Sequence, residues 1–128
     1  METGFAAARD QLSQRVEARP DEAELLSTLG VLDAFLGRKE EAIQEATRAS
    51  EIRPVSEDAV EGPWILQDLA EICAWTNEPD LAFRELAKLV GIPFGLDNRE
   101  IFKADPTWDP VRKDPRFNKL VSLLPQHP

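Results

Sequence analysis

An all-α domain is what this sequence predicts, and three observations carry the prediction. Apolar residues recur at three- and four-residue intervals through about residue 92. No run alternates apolar and polar residues as a half-buried strand does. Gly37 and Pro54 stand where periodic stretches end.

Phe5, Ala8, Leu12 and Val16 share one face of a first helix. Leu25, Leu26, Leu29, Leu32 and Leu36 mark a second, with Asp21 as N-cap, Glu24 closing a capping box and Gly37 ending it. Ala42, Ile43, Ala46, Ala49 and Ile52 form a third, closed by Pro54. Ile65, Leu66, Leu69, Ile72 and Cys73 form a fourth, entered through Gly62-Pro63. Leu81, Ala82, Leu86, Leu89 and Val90 form a fifth, with Pro79 in its first turn.

At 128 residues and 42% hydrophobic the chain can bury one modest core, so it reads as a single domain over 1–128. The 24 acids and 15 bases leave a net charge of −9, which disfavours a nucleic-acid partner. That charge is uneven: residues 1–85 carry −11 and residues 86–128 carry +2. No apolar run approaches the roughly 20 residues of a membrane span and no signal-peptide pattern opens the chain, so a cytoplasmic protein without a membrane partner is expected. One cysteine, Cys73, excludes an internal disulfide.

The spacing also repeats. Pro20 and Pro54 lie 34 residues apart, as do Ala8 and Ala42, and Leu12 and Ala46. Gly30 precedes Ala42 by 12 residues, and Ala70 precedes Ala82 by 12. Small residues at those places let paired helices approach closely. The stretch Leu26-x-x-Leu29-Gly30, then Gly37, Ala42, Ala49 and Pro54, resembles one tetratricopeptide repeat. Leu66-x-x-Leu69-Ala70, then Ala82 and Leu89-x-x-x-Pro93, resembles another, with six residues inserted before it. Asp33, Ala46 and Asn77 depart from the family's usual residues. The resemblance implies a right-handed superhelix of antiparallel helix pairs: a half repeat at 4–20, a repeat at 21–54, a repeat with insertion at 55–95 and a proline-rich capping tail at 96–128.

A second resemblance rests on Pro54-Val-Ser-Glu-Asp-Ala-Val-Glu-Gly-Pro-Trp64, Asp68-Leu-Ala70 and the segment from Asp105 to Phe117. These are similar to the C-terminal ends of bacterial multidomain signalling proteins that carry a kinase, adenylate cyclase or winged-helix domain upstream. It implies a C-terminal fragment of a larger protein or a small stand-alone relative. In the tail, Asp105-Pro106, Asp109-Pro110 and Asp114-Pro115 each offer an N-cap carboxylate before a proline. Successive short turns are expected there, ending in a helix near 114–124 with Phe117, Leu120, Val121 and Leu124 inward. Trp108 and Phe117 are expected to cover the fifth helix, as a solenoid end requires.

Catalysis finds little footing. The single histidine, His127, sits beside the terminal proline. Cys73 falls on a buried stripe, and no metal-ligand spacing or cofactor motif is present. Glu40-Glu41 and Glu57-Asp58 read as solvated charges at helix starts. Gly91-Ile-Pro-Phe-Gly95 lacks the lysine of a phosphate loop and reads as a turn. No enzyme, cofactor or metal is expected.

Recognition is the better expectation. The resemblance implies that such repeats bind a peptide or protein segment on a concave face, lined by the first helix of each pair. On the fourth helix the matching positions are Trp64, Gln67, Asp68, Glu71 and Trp75. Two indoles and two carboxylates suit a basic or amphipathic partner. A packing role, with Trp64 on the tail and Trp75 on its helix partner, stays open beside the binding one. Forty residues earlier the matching positions are Glu24, Ser27, Thr28, Val31 and Phe35. They lack the Lys and Asn cluster that clamps a terminal carboxylate in some relatives. A structural alternative also stands: a spacer or self-association element, pairing as a homodimer through the face of residues 4–18 left bare by the half repeat.

Overall fold

A computed structural model describes residues 2–93, 95–96 and 99–125, the side chains of residues 2, 3 and 5 excepted. It is all-helical: α1 (Glu2–Ala18), α2 (Ala23–Phe35), α3 (Lys39–Ile52), α4 (Glu61–Trp75), α5 (Pro79–Lys88), α6 (Arg99–Ala104), a 3-10 helix (Pro106–Val111) and α7 (Pro115–Leu123). Among the described residues there is no strand, only an isolated bridge between Val90 and Leu96. No described helix is long and apolar enough to cross a membrane.

Two helical hairpins, α2 with α3 and α4 with α5, form the body, and their turns are built alike. At the first, Gly37 adopts φ +79°, its N–H bonds the Ala34 carbonyl at 3.2 Å, and the Arg38 N–H reaches Asp33 at 2.8 Å. This is a Schellman cap, whose left-handed residue has to tolerate positive φ. At the second, Asn77 takes that place at φ +63°, and the Glu78 N–H reaches the Cys73 carbonyl at 2.8 Å. A short polar side chain tolerates the left-handed region better than most, so asparagine can stand in for the missing glycine at this turn. Lys39 and Glu78 join the two turns at 2.6 Å.

Small residues set the spacing of α2, α3 and α4. A Cβ on Gly30 would lie 3.1 Å from the Ala42 carbonyl oxygen and 3.2 Å from Ile72 Cδ1. Ala42, Ala46 and Ala49 present a fully buried stripe from α3. Ala70 and Ala82 are likewise fully buried in the second hairpin. The main core runs from these through Ile72, Leu86 and Leu89 to the tail residues Phe102, Trp108, Phe117 and Leu120. A smaller cluster of Ala23, Leu26, Ala49 and Ile65 underlies α1, with Val16 and Ile52 against it.

Several boundaries differ from expectation. The Arg19–Glu22 turn, closed by the Glu22 N–H on the Arg19 carbonyl at 3.1 Å, delays α2 to Ala23. Glu22 is therefore its N-cap residue and makes no side-chain cap, so the Asp21–Glu24 box does not form. On α1, Ala8 is exposed, while Arg9, Leu12 and Val16 turn toward the body; Phe5 lies outside the described side chains. The inserted residues fold back on the start of α4. Asp58 Oδ1 accepts from the Val60 and Glu61 N–H groups at 3.0 and 2.8 Å. A Cβ on Gly62 would meet Val55 Cα at 2.8 Å, so glycine is required at that crossing.

The Arg9 contact explains Asp33. Its fully buried carboxylate accepts from Arg9 Nε at 2.7 Å, joining α1 to α2. Glu45 of α3 adjoins the pair, and its Oε1 is buried with no donor among the described residues. Burial and the neighbouring Asp33 push the Glu45 carboxyl up to about 8. Both effects favour its protonated form over the carboxylate.

In the tail, Asp105 and Asp114 cap as expected, accepting from Thr107 N and Arg116 N at 3.0 and 2.9 Å. Asp109 does not cap: Pro110 falls inside the 3-10 helix, and Asp109 pairs with Arg112. Phe117, Leu120, Val121 and Leu124 are buried. The 3-10 helix that carries Trp108 packs on α4, while α7 with Phe117 packs on α5. Phe102 was not anticipated; it stacks on Phe117 at 5.1 Å and tilts against Trp108 at 5.6 Å. Three arginines fasten the tail. Arg99 donates to the Ser122 and Leu124 carbonyls, and Arg112 to those of Lys103 and Asp105. Arg116 lies over the Phe83 ring and pairs with Asp80 and Asp114.

Candidate functional site

Helices α2 and α4 pack side by side, and residues at three- and four-residue spacing on each line the hollow between them. Two cavities of about 260 Å³ each open along it. The first is lined by Glu24, Ser27 and Thr28 from α2 and by Glu61, Trp64, Ile65 and Asp68 from α4. The second is lined by Val31, Ala34 and Phe35 from α2 and by Glu71, Ile72 and Trp75 from α4. Ser27 Oγ donates to Asp68 Oδ2 at 2.9 Å across the floor.

The rim is aromatic. Phe35, Trp64 and Trp75 are 73%, 54% and 56% exposed, large side chains left in water at the mouth of a groove. Trp75 is tethered: its indole N–H donates to the Thr107 carbonyl of the tail at 2.7 Å. Trp64 stays in the groove. Of the packing roles expected for the two indoles, the contact with the tail is made by Trp75 and not by Trp64.

The floor is acidic and poorly compensated. Burial raises the pKa of Asp68, which the Ser27 hydroxyl only partly offsets. Burial also raises that of Glu71, helped by the Asp68 and Asp105 charges. A hydrogen bond with Glu24, then burial, raises Glu61. Arg53 reaches Glu61 at 3.1 Å but shares itself with Asp58. Glu24, Asp68 and Glu71 form no ion pair with a described residue.

Four of the five expected α4 positions, Trp64, Asp68, Glu71 and Trp75, therefore face this groove, as do all five expected α2 positions. Gln67 does not. It lines a separate, smaller hollow with Leu96, Phe102, Asp105 and Trp108, because its side of α4 is turned to the tail. Glu61, Ile65, Ala34 and Ile72 join the groove unanticipated. Glu61 stands three residues before Trp64, so its placement was readable once α4 begins at Glu61 and not at Gly62.

Elsewhere, Cys73 is buried and its thiol is pushed up to about 11, by burial first and then by the Glu85 and Glu78 charges. It is a neutral core thiol at ordinary pH. Among the described residues no group of three or more His, Cys, Asp and Glu side chains is arranged to hold a metal ion; His127 lies outside them. Comparison with protein-family models, curated proteins and solved structures finds no match to this chain.

Proposed function

We propose that the chain is a non-catalytic interaction module of tetratricopeptide type, whose α2–α4 groove binds a peptide or protein segment. One observation carries the reading. Side chains expected on a concave binding face and related by a 40-residue offset, Thr28, Val31 and Phe35 against Asp68, Glu71 and Trp75, line adjoining cavities beneath an exposed aromatic rim. The left-handed turn residues Gly37 and Asn77, each followed by an N–H bonded five residues back (Arg38 to Asp33, Glu78 to Cys73), and the close approach at Gly30 support the repeat assignment. Two continuous hairpins, stacked as a right-handed superhelix with α6–α7 as the cap, are part of the same reading. So are a cytoplasmic setting and a place at the C-terminal end of a bacterial signalling protein.

The test is retention of a partner from the source lysate by wild type against the Asp68→Lys/Glu71→Lys variant, with both checked for helicity by circular dichroism. A partner retained by wild type and lost by the folded variant supports the groove. Identical profiles count against it.

A second reading, self-association through α1, is favoured by the exposure of Ala6, Ala7 and Ala8 on that helix. Sedimentation over a concentration series decides it; a strict monomer at high concentration removes the homodimer.

A further inference from the structure

The two cavities are copies of one another displaced by seven residues on both helices. On α2, Glu24, Ser27 and Thr28 become Val31, Ala34 and Phe35; on α4, Trp64, Ile65 and Asp68 become Glu71, Ile72 and Trp75. At 1.5 Å per residue the displacement is about 10.5 Å.

Their chemistry is not copied. The first cavity gathers Glu24, Glu61 and Asp68 under the single indole of Trp64, with only a shared Arg53 beside Glu61. The second sets Phe35, Val31, Ile72 and Trp75 around one carboxylate, Glu71. A half-buried carboxylate with no cation of its own, beside an exposed indole face, complements an ammonium or guanidinium group through both charge and the ring quadrupole. An apolar, aromatic-lipped cavity complements a bulky apolar side chain. Each volume suits one side chain and not a ligand helix about 10–12 Å across. In a polyproline-II segment, residues i and i+3 lie on one side, about 9 Å apart, which is close to the displacement between the cavities.

We infer that the groove reads an extended segment bearing Lys or Arg at one position and a large apolar residue three positions away. The cation enters the Glu24–Trp64–Asp68 cavity and the apolar side chain the Phe35–Trp75 cavity. This rests on the reading of the groove as a peptide-binding site.

The experiment is selection of random twelve-residue peptides on the full chain, counter-selected on the folded Asp68→Lys/Glu71→Lys variant. A consensus with a base and a bulky apolar residue three apart supports the inference. Affinity of a selected peptide should then fall about fivefold or more when its base becomes Gln, or when the protein carries Asp68→Asn. Phe35→Ala, an exposed position whose change leaves the fold intact, should cost affinity only for peptides keeping the apolar residue. A consensus without a cation, or with its two residues seven apart as on a helix, overturns the inference and leaves the groove a binding site. No enrichment over the variant overturns both.

Discussion

The two ends of the molecule are held by opposite means. At the C-terminal end, Phe102, Trp108 and Phe117 form an aromatic cluster continuous with the main core, and arginines fasten it from outside through carbonyls and surface carboxylates. At the N-terminal end, the described apolar side chains that α1 turns toward the body are the half-buried Leu12 and Val16. Its long-range anchor is the Arg9–Asp33 pair with Glu45 beside it. The tail depends chiefly on apolar burial, with the Arg116 pairs to Asp80 and Asp114 at its surface. The α1 contact depends more heavily on charge, which responds directly to pH and salt.

Removing the aromatic cluster should have the largest effect. Phe117→Ala leaves Phe102 unstacked and Arg112 without the ring beneath it. The loss expected is about 3–5 kcal/mol, read as a fall in Tm of roughly 10 °C or more. A fall of only a degree or two would mean that the tail is not part of the cooperative core.

Asp33→Ala comes next. It strands Arg9 at a partly buried position, at a cost of about 2–3 kcal/mol by thermal melt. The double variant Arg9→Met/Asp33→Leu replaces the pair with apolar contact and should lie within about 1 kcal/mol of wild type. If the single change is silent, α1 is held elsewhere.

Glu45→Gln gives the smallest effect and the most specific one. The folded pKa of Glu45, about 8, lies above its ordinary 4.5. Its contribution to stability is therefore full below about pH 4.5 and is lost as pH rises through about 8. Glutamine can still donate to Asp33 and has no proton to lose. The variant should match wild type near pH 4 and melt roughly 2–5 °C higher near pH 9. Parallel pH profiles would show that Glu45 ionises normally.

Helix identity was largely legible because it follows from periodicity: the apolar spacing located α2–α5. The groove positions on α4 came from the family resemblance, and a 40-residue offset carried them to α2; nine of those ten positions line the groove. What stayed hidden depends on pairings that no local pattern marks. Arg9 and Asp33 are 24 residues apart on different helices, so Asp33 read only as a departure from a family pattern. Trp75 and Thr107 are 32 apart, and the tail's tether on that indole could not be seen. Helix α6 is six residues long, too short for a periodic signal, and Phe102 went unnoticed with it. Gln67 shares α4 with the groove residues, yet its position also abuts the tail, and only packing decides between the two.

The alanine stripe of α3 has a mechanical consequence. Where Gly30 meets the Ala42 carbonyl, main chain rests on main chain, with hardly any side chain between to change rotamer. Interfaces padded by long side chains can breathe as those chains rearrange, whereas this one has almost nothing to rearrange. The spacing of α2 and α3 is thereby gauged by the backbone itself. For the segment binding proposed above, one wall of the groove, α2, would thus already be seated at a fixed distance on α3, and little ordering of that wall would oppose it.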